Sequence, residues 1–340
     1  MFSNLNAVAD KYIQEKTVQN LYVRVIKNSK VIADVIRSNE KAIDENTLFD
    51  MASVTKILAT TTLALIALDK NLIALDDKVD KFFSCPDDKK NLTIKHLLTH
   101  TMGIGYKNLT KNGNTYDNIA DYILSIPTDI SIGSDVLYSC PAFILLGKII
   151  EKVFTNTLDF LFTQYVTKPL GMSSTVFCPT ERKNVINANL DSKKTGIVND
   201  YNCRSLGGVA GNAGVFSNVS DMTKFAKFLI EKGNPLVSQE SFEKAIENYT
   251  GDMVESRGLG YLYVDDRYAQ TGGLFQTGSF GHCGHTGQSV FVDANTRFGV
   301  IILSDATVST IKKYGSERYD EVMAFRKNIH KAIKKDLLDI

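Results

Sequence analysis

Ser53-Val54-Thr55-Lys56 places a nucleophile and a base three residues apart in this 340-residue chain. Residues at that spacing on a helix share a face, so the Lys56 amine reaches the Ser53 hydroxyl. A serine hydroxyl attacks poorly until a neighbouring base takes its proton, and a lysine serves as that base where burial and nearby cations lower its pKa. A helix start at Ser53 adds the positive end of the helix dipole, which favours negative charge developing there. Alone, the tetrapeptide more often marks an N-cap serine followed by a solvated lysine. Two further segments carry reactive groups. Tyr138-Ser139-Cys140 precedes an apolar helical run at 143–150, and its phenol and hydroxyl can relay a proton between nucleophile and leaving group; it also fits a plain turn before a helix. In Gly281-His282-Cys283-Gly284-His285-Thr286-Gly287 the glycines let a ligand backbone approach a strand closely. His282 and His285 fall on opposite faces of a strand and make a poor metal pair. His96 and His100, at i and i+4, lack a supporting acidic pattern and read as core or loop anchors. No metal and no cofactor is expected.

The elements that must position these residues are visible as periodicity. Apolar side chains at helical spacing predict a helix over 4–18, and β-rich runs at 21–26 and 31–36 around Lys27-Asn28-Ser29-Lys30 predict a hairpin. An Ala/Leu/Ile/Thr run at 48–68 follows, and helical patterns and loops dominate to about residue 250. Strand signals return at 260–264, 289–292 and 297–304, the last two joined by Asp293-Ala294-Asn295-Thr296. Val322, Phe325, Ile329, Ile333 and Leu337 predict an amphipathic closing helix over 317–338. Strands at both ends and helices between them predict an α+β fold. Its antiparallel sheet is built from 1–55 and 255–340 and flanked by the terminal helices, a mostly helical domain is inserted over 56–254, and the active site lies in the cleft between the two.

Composition narrows the function. The 39 Lys+Arg balance 38 Asp+Glu, so the chain offers no electrostatic footprint for nucleic acid or an anionic membrane. The apolar runs read as too short or too interrupted to span a bilayer, and the first 20 residues lack a signal-peptide pattern, which makes a cytoplasmic protein the expectation, a trimmed export signal aside. Cys85, Cys140, Cys178, Cys203 and Cys283 are odd in number and never in C-x-x-C, the pattern of reduced thiols. G-x-x-x-x-G-K-[ST], H-E-x-x-H, G-x-S-x-G and calcium-loop patterns are missing, which removes the kinase, zincin and α/β-hydrolase readings. The expected partner is a small-molecule or peptide substrate.

Taken in order, the three reactive segments resemble the S-x-x-K, Y-x-N and [KH]-[TS]-G motifs of the class C β-lactamase and penicillin-binding-protein superfamily of serine hydrolases. The likeness runs from the opening hairpin to about residue 305. His96-Leu97-Leu98-Thr99-His100-Thr101-Met102-Gly103-Ile104 is similar to that family's H-L-L-T-H-T-S-G-L loop, and 206–217, Leu-Gly-Gly-Val-Ala-Gly-Asn-Ala-Gly-Val-Phe-Ser, to its L-G-G-V-A-G-H-A-G-L-F-S segment. The resemblance implies the β-lactamase/transpeptidase-like fold, with Ser53 acylated, Lys56 accepting its proton and Tyr138 acting as general acid and base. Both His282-Cys283-Gly284 and His285-Thr286-Gly287 fit the third motif. The commoner register makes His282 the motif cation, and the backbone N–H groups of Ser53 and His285 the oxyanion hole. Cys140, Cys283, Gly284 and His285 then face substrate. Cys140 stands where an Asn amide would bind an acyl side chain, His282 where true β-lactamases carry Lys, and Cys283 where a hydroxyl contacts carboxylate. The expected activity is therefore hydrolysis of a small ester or amide with weak or no β-lactam turnover. D-amino-acid carboxypeptidase, aminopeptidase or muropeptide amidase activity is the alternative, and a non-catalytic ligand-binding module the third reading.

Overall fold

The computed structural model describes residues 2–39, 42–109, 114–187, 194–306 and 316–339. Helix α1 (Ser3–Gln14) ends earlier than its periodicity implies, because Lys16 turns left-handed at φ 56° and Thr17 N–H closes back on the Tyr12 carbonyl at 2.9 Å. The hairpin follows as β1 (Asn20–Lys27) and β2 (Lys30–Ser38). Its two-residue loop, Asn28-Ser29, has φ 51° and 61°, the handedness that matches strand twist.

Strands β6 (Leu262–Tyr263), β7 (Phe280–Cys283), β8 (Ser289–Asp293) and β9 (Phe298–Ser304) complete an antiparallel sheet in the order β2-β1-β9-β8-β7-β6. Side chains alternate between two buried layers. Leu21, Val23 and Val25 of β1, with Val300 and Ile302 of β9, pack on α1 and on the closing helix, Ser316–Leu338. Tyr22, Val290, Val292, Ile301 and Leu303 pack on the helical region. The terminal helices meet through Tyr12 and Phe325, ring centroids 5.1 Å apart, and Asp336 accepts the backbone N–H groups of Asn4 and Leu5 at 2.9 and 2.8 Å, capping α1 from outside.

The middle of the chain is mostly helical, as expected, but it also carries short strands. The apolar run at 48–68 breaks into β3 (Phe49–Asp50), a 3-10 turn Ala52–Val54, a π-helical turn Lys56–Thr61 and α2 (Thr62–Asp69). By length and composition Ala52–Asp69 suffices to cross a membrane, against the expectation that no run does; 83% of it is buried inside the fold, the signature of a core helix. Helices α3 (Ile94–Leu98), α4 (Ile119–Ser125), α5 (Cys140–Phe154) and α6 (Leu158–Phe162) follow. Strand β4 (Val176–Phe177), helix α7 (Tyr201–Ser205), strand β5 (Val215–Ser217), and helices α8 (Val219–Ile230) and α9 (Gln239–Ala245) then complete the insertion ahead of β6. Here β3, β5 and β4 form a second, three-stranded sheet that the sequence reading missed, its strands of two or three residues being too short to show alternation. Strand β7 was likewise missed, and His285 lies in the turn after it rather than on the strand with His282.

Candidate active site

Three loops hold the nucleophile's turn. The Asp50 carboxylate accepts the Ala52 N–H at 2.8 Å and the Asn199 N–H at 2.7 Å, and its backbone carbonyl accepts Thr286 Oγ1 at 3.0 Å and Gln288 Nε2 at 2.9 Å. Between these grips Ala52 is forced to φ 45°, a left-handed conformation costing about 1–2 kcal/mol, directly before Ser53. Burial pushes the Asp50 carboxyl up to about 6 even though its two backbone bonds pull it down, with nearby Asp200 adding to the rise.

One 3-10 turn on, the Lys56 ammonium donates to Ser53 Oγ at 3.0 Å and to the Asn212 carbonyl at 3.0 Å, with Cys140 Sγ at 3.7 Å. Lys56 is fully buried. Burial disfavours its charge, but Cys140 and Tyr138, whose anions favour it, and Asp200 hold its pKa above the ordinary lysine range. The sequence reading made Lys56 a base on condition that burial and nearby cations lower its pKa; burial does act that way, but the groups packed on Lys56 favour its charge, so the net direction is upward.

Tyr138 lies beside this pair, its ring centroid 5.0 Å from Lys56 Nζ, close enough for Lys56 and Ser53 both to act on its phenol electrostatically. The family-like segment at 96–104 explains its placement. His100, turned left-handed at φ 59° beyond α3, accepts Leu137 N–H on its carbonyl at 2.9 Å and Ser139 N–H on Nδ1 at 3.0 Å, straddling the tyrosine. That acceptor role puts the imidazole proton on Nε2, and burial with the charges of Arg257 and Lys56 keeps His100 neutral, far below its ordinary pKa. The Ser139 hydroxyl then caps α5 by accepting Ala142 N–H at 3.1 Å. His96 has the anchoring role expected of it, completing a capping box with Thr93. Burial pushes the Tyr138 phenol up while Lys56 pulls it down, and the net is a raised pKa.

The third motif lines a cleft of about 260 Å³ with Ser53 and Tyr138, and His282, Cys283, Gly284 and His285 all border it. Strand β7 pairs outward with β6 only at Phe280 and Gly281, leaving the 282–283 backbone as an open edge. Gly284 is required here, since a Cβ would sit 2.8 Å from the Met51 carbonyl and 3.3 Å from Ala52 Cβ. For His282, read from the sequence as the motif cation, burial together with Arg257 and Lys56 lowers the pKa well below 6.5, which disfavours a charge there; its Nδ1 donates to the Cys283 carbonyl at 2.7 Å and its Nε2 is unpartnered. Cys283 contacts Tyr268 Oη at 3.5 Å and Gln270 Oε1 at 3.7 Å. Cys140 does not border the cleft; it is 4% exposed, packed behind Lys56, and burial raises its thiol pKa.

Sequence reading missed the cleft's cations, Arg257 and Arg326, and their neighbours Glu255 and Gln270. Arg257 pairs with Glu255, its Nε 2.6 Å from Oε2, and lies 5.6 Å from the Tyr138 ring centroid with Nη1 buried and unpartnered. Arg326 and His330 fall on the buried stripe of the closing helix beside Phe325 and Ile329, and two titratable residues on an apolar stripe were the available signal.

A family model described as Beta-lactamase matches residues 5–322. The chain belongs to the beta-lactamase family. Like that family it is a serine hydrolase. A relative from Escherichia coli O157:H7 named "Putative D-alanyl-D-alanine carboxypeptidase" is 27% identical over 306 residues, 78% of this chain and 70% of its own. A relative of the same name from Salmonella enteritidis PT4 is 26% identical over 349 residues, 91% of this chain and 79% of its own. Among solved structures, the octameric penicillin-binding protein homologue from Pyrococcus abyssi is similar with a TM-score of 0.74 at 21% identity, covering 96% of this chain and 78% of that one. EstCE1, a hydrolase with promiscuous acyltransferase activity, gives 0.77 at 18% identity, with 96% and 97% covered. The β-lactamase/transpeptidase-like α+β fold is thereby established.

Proposed function

We propose that this beta-lactamase family member hydrolyses a small ester or amide through an acyl-enzyme on Ser53, with weak or no β-lactam turnover. The observation that carries the reading is the 3.0 Å contact between Lys56 Nζ and Ser53 Oγ, with the Tyr138 ring 5.0 Å from the same ammonium and bordering the same cleft as Ser53. Lys56 and Tyr138 are both held above their ordinary pKa values, so the resting pair carries two dissociable protons. The reactive form has lost one of them, and the proton that remains belongs to the pair. As Ser53 Oγ bonds the carbonyl carbon, its proton passes to that pair; the pair then protonates the leaving oxygen or nitrogen as the old bond breaks. Water deacylates Ser53 by the reverse proton path. The Ser53 and His285 N–H groups stabilise the tetrahedral oxyanion.

Weak β-lactam recognition is favoured by two groups at the cleft. Burial with Arg257 and Lys56 lowers the His282 pKa and so disfavours a cation there, and Cys283 lacks the strong hydroxyl donor. Hydrolysis of p-nitrophenyl butyrate is expected to depend on Ser53; equal rates for wild type and Ser53→Ala would sink the reading. D-alanyl carboxypeptidase activity is the second reading, supported by the names of the Escherichia and Salmonella relatives and by Arg257, a guanidinium bordering the cleft, as a positive charge near a C-terminal carboxylate. Release of D-alanine from a peptide ending in D-Ala-D-Ala discriminates it.

A further inference from the structure

We infer that Arg326, carried by the closing helix, is a positioning residue for the oxyanion hole, holding the Gly284–His285 peptide so that its N–H faces the reacting carbonyl. The inference rests on the acyl-enzyme reading above. Arg326 is 4% exposed, and no carboxylate pairs with it among the described residues. Its Nη1 donates to the Gly284 carbonyl at 2.9 Å, its Nε to Gln270 Oε1 at 3.2 Å, and its Nη2 to the Met323 sulfur at 3.0 Å. The strongest acceptor offered to this buried charge is thus one backbone carbonyl beside the nucleophile.

Peptide geometry turns that contact into a constraint on the neighbouring donor. In a trans peptide the carbonyl of residue 284 and the N–H of residue 285 belong to one plane and point in opposite directions. The Gly284 carbonyl is fixed by Arg326 and by Gly287 N–H at 3.1 Å across the turn. The His285 N–H therefore points away from the closing helix, and no protein acceptor takes it among the described residues. On the cleft side, the Gly284 Cα packs against Met51 and Ala52, the two residues ahead of Ser53. A charged donor on the carbonyl also polarises the peptide and strengthens its N–H as a donor. Arg326 acts on the reaction through this peptide and not through substrate.

The test compares wild type, Arg326→Met, Arg326→Lys, Gln270→Leu and Ser53→Ala on p-nitrophenyl butyrate, a neutral ester, alongside inhibition by phenylboronic acid. The tetrahedral boronate on Ser53 places an oxygen in the hole. Arg326→Met is expected to lower kcat by up to about 10²–10³-fold, the loss seen when one oxyanion donor is removed. KM should stay within about twofold, and boronate affinity should fall in parallel with kcat/KM. Arg326→Lys should recover at least about tenfold of that loss, because an ammonium still donates to the carbonyl. Gln270→Leu, which frees the guanidinium on one side, should lower kcat with KM unchanged, and it decides the matter if Arg326→Met does not fold by circular dichroism. An unchanged kcat in the folded variants overturns the inference. So does a loss confined to KM for carboxylate-bearing esters, which would make Arg326 a substrate receptor. Equal rates for wild type and Ser53→Ala strike the acyl-enzyme reading itself, whereas a Ser53-dependent rate indifferent to Arg326 removes only this inference.

Discussion

Replacing Asp50 by Asn tests how the nucleophile's turn is held. The carboxyl is buried, with one oxygen on Ala52 N–H and the other on Asn199 N–H, and its pKa is raised from 3.8 to about 6. A rise of that size corresponds to about 3 kcal/mol. The sign follows from linkage: the folded state prefers the protonated acid, so this stabilisation is complete below pH 3.8 and is lost as pH climbs through about 6. An Asn side chain does not titrate and can accept only one of the two N–H groups, leaving a donor facing a donor at a cost of about 1–3 kcal/mol at every pH. Urea unfolding of both proteins between pH 4 and pH 7 isolates the group, because other titrations cancel in the difference. The variant's deficit should shrink by about 2.4 kcal/mol over that range, a little less than the full value because the unfolded carboxyl is already largely ionised at pH 4. Parallel stability curves would show that Asp50 is not the buried acid described and that Ala52 is held by something else.

Three further outcomes are expected. The hydrolytic kcat/KM should rise with pH beyond neutrality, because Lys56 and Tyr138 are both held above their ordinary values and one proton must leave the pair; Tyr138→Phe should alter this limb, and a rate flat from pH 6 to 9 contradicts the assignment. Gly284→Ala should lower kcat by tenfold or more with a folded spectrum, since a Cβ 2.8 Å from the Met51 carbonyl must push the turn off the nucleophile by several tenths of an ångström; wild-type kcat in the variant would refute this. Cys140→Asn should leave the rate of benzylpenicillin acylation, read as adduct formation by mass spectrometry, essentially unchanged, because position 140 is packed behind Lys56 and does not border the cleft; a gain of about tenfold, the value of one added neutral hydrogen bond, would show that its side chain reaches substrate.

Much of this site was legible because its chemistry is local. Ser53 and Lys56 share one turn, and Tyr138 was found from its own short motif, while the contacts that His100 and the Asn212 carbonyl make to Ser139 and Lys56 appear only in the fold. What escaped depends on long-range contact. Arg257 and Arg326 reach the cleft from a loop and a helix that no spacing links to Ser53, and only the fold shows that their charges, with burial, keep His282 neutral. The reversed pKa direction of Lys56 has the same origin, for its neighbours come from α5 and the loop before β5. The terminal sheet was readable where β-rich apolar runs were long, as in β1 and β9, whereas the second sheet was unreadable because β3, β4 and β5 last only two or three residues.

The central claim is that Ser53 becomes acylated. Acid-quenched turnover of p-nitrophenyl butyrate, followed by peptide mass mapping, measures it directly. The account predicts one added butyryl group on the peptide containing Ser53, absent from Ser53→Ala and accumulating more slowly in Lys56→Met. A butyryl group on Cys283 or Cys140 instead, or turnover with no adduct in wild type or in a deacylation-impaired Tyr138→Phe protein, would contradict it.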